Sequence, residues 1–189
     1  AILFTDIVGF TALMRADEKK ALNLLYYNRQ LLKPIIKKHD GEILKEMGDG
    51  TLNSFPSAIE AVRCALEIQE MLEAVPALNL RIGVHIGDVI EEGDDIFGDG
   101  VNIASRILDL AEPGGICLSQ AVYDSIQSQA DIRAKSIGKR ELKGIEGEQE
   151  IYTLISSQEQ FQAASGNGDK TEKRRVEEKF HLLHLLEKP

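Results

Sequence analysis

Residues 41–55 read GEILKEMGDGTLNSF, and the reading of this stretch decides the fold. Two short strand-like runs, Glu42 to Met47 and Thr51 to Phe55, flank Gly48-Asp49-Gly50, and Asp-Gly between such runs is a strong hairpin signal. Upstream, the apolar run from Ala1 to Ile7 reads as a buried strand. From Asp17 to Lys38, Leu22, Leu25, Tyr26, Leu32 and Ile36 recur at helical spacing. Downstream, Ser57 and Glu60 make a capping box for a second helix with Ile59, Val62, Leu66 and Leu72 on one face. LNLRIGVHIGDVI then starts a further strand at Leu80, with its partner expected in the short segment ending near Ile96.

Strand, helix, hairpin, helix, strand is the order of an α+β, ferredoxin-like (βαββαβ) core. A helix from Asp99 to Leu110 and short strands around Ile116, Arg140 and Ile151 are expected to extend it. The domain proper is expected to fill residues 1–155. Beyond it, SSQEQFQAASGNGDK is polar and carries Gly166-Asn167-Gly168, so residues 156–170 read as a linker. Residues 171–189 place Val176, Phe180, Leu183 and Leu186 at helical spacing, an amphipathic helix that needs the domain, a second copy or a partner to pack on.

The chain has 189 residues, enough for one domain with a substantial core. Its composition, 43% hydrophobic and 28% charged, is that of a globular protein, and no apolar run approaches the roughly 20 residues that cross a bilayer. No signal peptide is visible. Net charge is -9, and basic residues cluster only at Lys173, Arg174 and Arg175, which argues against a nucleic-acid partner. An acidic protein binds an anion only locally, with metals or a few placed cations. Cys64 and Cys117 sit in apolar stretches without metal-ligand spacing and read as buried thiols of a cytoplasmic protein.

Chemistry is suggested in two places. The first strand ends on Asp6, and the core topology sets that strand beside the hairpin, so Asp6 and Asp49 should meet at one edge of the sheet. Paired carboxylates there suit magnesium or manganese and leave positions open for phosphate oxygens and water. Each aspartate alone has a plainer reading, as a turn residue. The stretch Val8-Gly9-Phe10-Thr11 passes from strand end into a helix start and offers free backbone N–H groups to an anion. In DDIFGDGVNIASRI, Asn102 and Arg106 stand four apart and so share one helical face, with Asp95 just upstream. An asparagine suits a sugar, and a guanidinium matches phosphate oxygens.

In that order and at compatible separations, FTDIVGFT, LKEMGDG and DDIFGDGVNIASR resemble the catalytic domain of class III nucleotidyl cyclases, particularly bacterial adenylate cyclases. The likeness covers about Ala1 to Leu154. It implies a homodimer with active sites at the subunit interface and two metal ions, Mg2+ or Mn2+, per site. Asp6 and Asp49 match the family's metal-binding aspartates, and Ile7 the position that lends a backbone carbonyl. Lys45 and Asp95 match the base-recognising pair, Asn102 the ribose-orienting asparagine and Arg106 the transition-state arginine. Lys143, in ELKGIEG, matches a lysine that contacts substrate phosphates. Gly9, Phe10 and Thr11 would line the phosphates.

Lys45 only donates and ionised Asp95 only accepts, which fits the N1 acceptor and amine donor of adenine and mismatches guanine. The family's guanylate cyclases are expected to carry glutamate where Lys45 stands, so the expected reaction is ATP to 3',5'-cyclic AMP and pyrophosphate. The alternatives are a guanylate cyclase and a silent, cyclase-like nucleotide-binding regulatory module. Such a module would usually lack a metal aspartate or the arginine, and this chain has them all. A diguanylate cyclase would carry a Gly-Gly-acidic hairpin, whereas this hairpin reads Met47-Gly48-Asp49. Relatives of this kind usually have residues ahead of the first strand and often a sensor domain, so a longer native protein with a regulatory domain is expected. The short connection from Ile90 to Ile96 argues against an interface arm there.

Overall fold

The computed structural model of the chain describes residues 1–93 and 95–155. The linker and helix expected over 156–170 and 171–189 lie outside the described residues. In chain order the elements are β1 (Ile2–Ile7), α1 (Phe10–Ala16), α2 (Glu18–Lys38), β2 (Glu42–Met47), β3 (Gly50–Ser54), α3 (Ala58–Leu72), β4 (Leu80–His85), β5 (Ile90–Glu92), β6 (Asp95–Phe97), α4 (Asp99–Leu108), β7 (Ile116–Ser119), α5 (Gln120–Ile126), β8 (Ala134–Glu141) and β9 (Glu148–Leu154). Seven strands form one sheet in the order β2-β3-β1-β4-β7-β9-β8, and β5 and β6 form a separate hairpin. The first four strands in that order, with α2 and α3, are the ferredoxin-like core. The pairings within the large sheet are antiparallel except β4 with β7.

Alternation along β1 divides the two faces. Leu3 and Ile7 join Leu80, Ile82 and Val84 of β4 under α2, α3 and α5, a cluster that includes Leu32, Ile36, Val62, Ile68 and Val122. Ile2 and Phe4 point the other way and, with Leu52, pack against Val101, Ala104 and Leu108 of α4. Each buried Val, Leu, Ile or Phe side chain among these contributes about 1.5–3 kcal/mol relative to exposure. By the same period of two, Asp6 belongs to the α4 face.

α4 can lie so close because of Gly83. A Cβ there would stand 2.5 Å from the backbone nitrogen of Leu108 and 2.7 Å from the carbonyl oxygen of Ala104. Gly83→Ala should therefore push α4 off the sheet and destabilise the domain by about 1–3 kcal/mol, read as a lower denaturant midpoint.

Three departures from the sequence reading have physical causes. β4 does not pair with the segment ending near Ile96; its neighbours are β1 and β7, and Ile90–Glu92 pairs instead with Asp95–Phe97 in a hairpin of its own. Pairing on both edges satisfies the β4 backbone, while the helices bury Leu80, Ile82 and Val84 on its face. The stretch after Gly9 forms the short helix α1, cut from α2 where Asp17 leaves helical geometry and caps α2 by accepting from the Lys20 N–H at 2.9 Å. On α2 the buried stripe is Ala21, Asn28, Leu32, Ile35 and Ile36, while Leu22 and Tyr26 are 49% and 67% exposed. Spacing alone had put those two on the core face. Helix α5 was not foreseen at all.

Other expectations hold. Ser57 accepts from the Glu60 N–H at 3.1 Å and starts α3. The C-terminus of α2 is tied to α3, with His39 between Glu60 at 3.2 Å and Glu67 at 2.8 Å and Lys38 also on Glu67. Burial alone would raise the Glu67 pKa, but the hydrogen bonds from Lys38 and His39 outweigh it and hold it below its ordinary value. Cys64 and Cys117 are buried free thiols, and burial first, with nearby glutamates adding to it, pushes them up to about 12 and about 11.

Candidate functional site

The β2–β3 turn has two residues, Gly48 and Asp49, closed by the Met47–Gly50 pair. Gly48 takes φ +61°, the conformation that a II′ turn reserves for glycine at its first central position. The turn thus sits one residue earlier than the Asp-Gly signal suggests, which puts Asp49 at its tip. Gly50 then lies against β1 so closely that a Cβ would stand 2.5 Å from the Thr5 carbonyl oxygen.

This approach brings the two aspartates together. Asp49 Oδ2 accepts from the Ile7 N–H at 3.2 Å. Burial, and then the charge of neighbouring Asp6, raises the Asp49 carboxyl above the ordinary carboxylate range. Asp49 thus stands beside a second half-buried carboxylate, Asp6, in a site short of positive charge. Part of that charge comes from Arg81, which β4 sets directly opposite Asp6 and whose Nη2 donates to Asp6 Oδ2. Arg81 Nε is buried and meets no partner among the described residues. The sequence reading passed over Arg81, yet the signal was there: a lone cation inside an apolar strand, Leu80-Arg81-Ile82, as conspicuous as Asp6 in its own.

Asp6, Asp49 and the Ile7 carbonyl are hard oxygen donors, the set that magnesium or manganese takes when substrate oxygens and water complete its shell. Among the described residues no group of three or more His, Cys, Asp or Glu could hold a metal by itself. The residues fit a cation that arrives with a polyphosphate better than a closed structural site. Next to them Gly9, at φ +76°, opens α1 without a side-chain cap, so the amides of Phe10 and Thr11 face no capping group.

Lys45 reaches this side of the sheet through a β-bulge. Ile43 pairs with Asn53 and Lys45 with Leu52, so Leu44 and Lys45 oppose one residue and lean to the same face. Leu52 belongs to the α4 face, and Leu44 packs there as well.

α4 buries Val101, Ala104 and Leu108 and turns Asn102 and Arg106 outward. Among the described residues Arg106 has only Asp109, at 3.6 Å, as an ion-pair partner. Among the described residues no hydrogen bond or ion pair joins Asn102 or Arg106 to Asp6 or Asp49. Asp95 begins β6, just before α4. Lys143 is exposed in the connection between β8 and β9, and β8 is the opposite edge of the sheet from β2. A single chain therefore gathers Asp6, Ile7, Asp49 and Gly9–Thr11 at one end and displays Asn102 and Arg106 on an open helix face, with Lys143 next to Leu142, which packs in one cluster with Ile103 and Ile107 of α4.

Comparison with known proteins identifies the family and the fold. Residues 1–156 match the model of the adenylate and guanylate cyclase catalytic domain, and the chain belongs to that family. A Rhizobium meliloti (strain 1021) protein named "Putative adenylate cyclase 3" is 40% identical over 161 residues, 81% of this chain and 27% of that protein. The chain thus spans about a quarter of that relative's length. The crystal structure of an adenylate/guanylate cyclase/hydrolase from Silicibacter pomeroyi superposes with a TM-score of 0.75 at 36% identity, covering 82% of this chain and 95% of that one. The adenylyl cyclase CyaB from P. aeruginosa does so with 0.72 at 25%, covering 82% and 93%. Among the described residues no helix is long and apolar enough to cross a membrane.

Proposed function

We propose that the chain is an adenylate cyclase domain that converts ATP to 3',5'-cyclic AMP and pyrophosphate at sites shared by two copies, serving cytoplasmic second-messenger signalling. The observation that carries this reading is the meeting of Asp6 and Asp49 at the end of β1, in a chain of the cyclase family whose Asn102 and Arg106 lie on the outer face of α4 and, among the described residues, bond to neither. One copy supplies Asp6, Ile7 and Asp49 with the Gly9–Thr11 turn, and the other supplies Lys45, Asp95, Asn102, Arg106 and Lys143. Two-fold symmetry then completes two sites.

Two Mg2+ or Mn2+ ions, when bound, would acidify the ribose 3'-hydroxyl and offset triphosphate charge. Asp6 and Asp49 would hold them with the Ile7 carbonyl. Asn102 sets the ribose so that the 3'-oxygen lies in line with the α-phosphorus. Arg106 stabilises charge on the α-phosphoryl oxygens as pyrophosphate leaves. The amides of Phe10 and Thr11, with Lys143, hold the departing phosphates. Lys45 donates to adenine N1, and Asp95 accepts from its amine.

The experiment is product analysis of the full chain with ATP or GTP and Mn2+, for wild type and Lys45→Glu. Wild type should form cyclic AMP in preference to cyclic GMP. Lys45→Glu should lower the ATP-to-GTP ratio of kcat/KM by about 10- to 100-fold, the effect of one or two unsatisfied base contacts. An unchanged ratio would remove Lys45 from base recognition.

A further inference from the structure

We propose that Arg29 is a positioning residue that holds Asp49 in its metal-binding place. This rests on the reading of Asp49 as a metal ligand and goes beyond it. Arg29 stands on α2, away from the strands that carry the carboxylates, and reaches across to the hairpin that ends in the turn. Its Nη2 donates to the Gly48 carbonyl oxygen at 3.3 Å, and its Nε lies 3.0 Å from Glu46 Oε2. One planar guanidinium thus grips both a side chain on β2 and the peptide that leads directly into Asp49.

The grip bears on the weakest point of the site. Asp49 sits at the tip of a two-residue turn, beyond the last strand pair Met47–Gly50, where little backbone pairing holds it in place. From the β1 side the tip is held by the Ile7 N–H on Asp49 and by the close seat of Gly50 under the Thr5 carbonyl. Arg29 is its hold from the helical layer. The base it works from is rigid, because α2 is buried along Leu32, Ile35 and Ile36 and pinned to α3 through His39. A surface ion pair of this exposure adds little to global stability. Its function lies in the local geometry, where groups that orient a metal ligand typically govern 10–100-fold in metal affinity. Lysine could meet Glu46 or the Gly48 carbonyl, but it lacks the fork that meets both.

The test uses the full chain with Arg29→Met, which keeps much of the apolar stem, Arg29→Lys, and Asp49→Asn as the reference. Mn2+ binding is followed by electron paramagnetic resonance in the presence of a non-cyclisable ATP analogue, and the Mn2+ dependence of turnover is measured in parallel. Arg29→Met should weaken Mn2+ binding about tenfold or more and raise the half-saturating Mn2+ alike, while kcat at saturating Mn2+ falls much less; Arg29→Lys should recover part of the loss. A thermal midpoint near that of wild type separates this from a loss of fold. Unchanged Mn2+ affinity in a folded Arg29→Met, against wild-type binding that Asp49→Asn abolishes, would overturn the role of Arg29 alone. Wild-type Mn2+ binding that is indifferent to Asp49→Asn would instead overturn the metal site.

Discussion

Asp49→Asn should lower the turnover of ATP by about 10³-fold, on the order of 4 kcal/mol of transition-state stabilisation, and leave the fold intact. Asparagine keeps the shape of the turn, and its Oδ1 can still accept from the Ile7 N–H, so only the charge is lost. That charge costs the metal-free protein stability, because a pKa raised by burial and by Asp6 means that the folded state disfavours the ionised form at neutral pH. The variant should therefore unfold at the wild-type temperature or slightly above it when no metal is present, and Mn2+ with nucleotide should no longer raise its midpoint. Asp6→Asn is expected to differ. It too removes a ligand charge, but it also leaves the half-buried guanidinium of Arg81 without its counter-charge, so both activity and stability should fall. Thermal melts of the two variants, with and without Mn2+, check this asymmetry.

Arg106→Ala should reduce kcat by about 10²–10³-fold with a much smaller change in KM, because the guanidinium is assigned to charge that develops only in the transition state. Stability should stay within about 0.5 kcal/mol of wild type, since Arg106 projects from the open face of α4 and its pairing with Asp109 is long and exposed. Steady-state kinetics together with a denaturant titration separate the two quantities. A large rise in KM with kcat preserved would make Arg106 a ground-state phosphate contact instead.

The core was legible because its signals are local and mutually consistent: period two in β1, a capping box at Ser57, helical spacing in α3. The partner of β4 was not, because LRIGVHIG shows that a strand is buried without showing which strands bury it, and β7 pairs with it across an intervening helix. The exposure of Leu22 and Tyr26 escaped for a related reason. Several apolar stripes fit the spacing along α2, and the sheet beneath selects the one through Ala21, Leu32 and Ile36.

At the site, Asp6 and Asp49 could be paired from topology alone. The bulge that turns Lys45 onto the α4 face, the ion pair of Arg81 with Asp6 and the reach of Arg29 to Gly48 depend on register and three-dimensional approach. No spacing in the sequence encodes these. That Asn102 and Arg106 lie on the exposed face of α4 and, among the described residues, bond to neither carboxylate is likewise a property of the folded chain, and the proposal of a site shared by two copies builds on it.

The most direct test of that central claim mixes two variants, each inactive by itself. Asp49→Ala keeps the Arg106 half of the site and Arg106→Ala keeps the Asp49 half, so a mixed dimer contains one complete site and one that lacks both. Equimolar mixing with free exchange makes about half of the dimers mixed, each with one of two sites intact, and the account predicts cyclic AMP formation at about a quarter of the wild-type rate. Cyclic AMP no greater than the sum of the two variants measured separately, at concentrations where mixed dimers are shown to form, would contradict it.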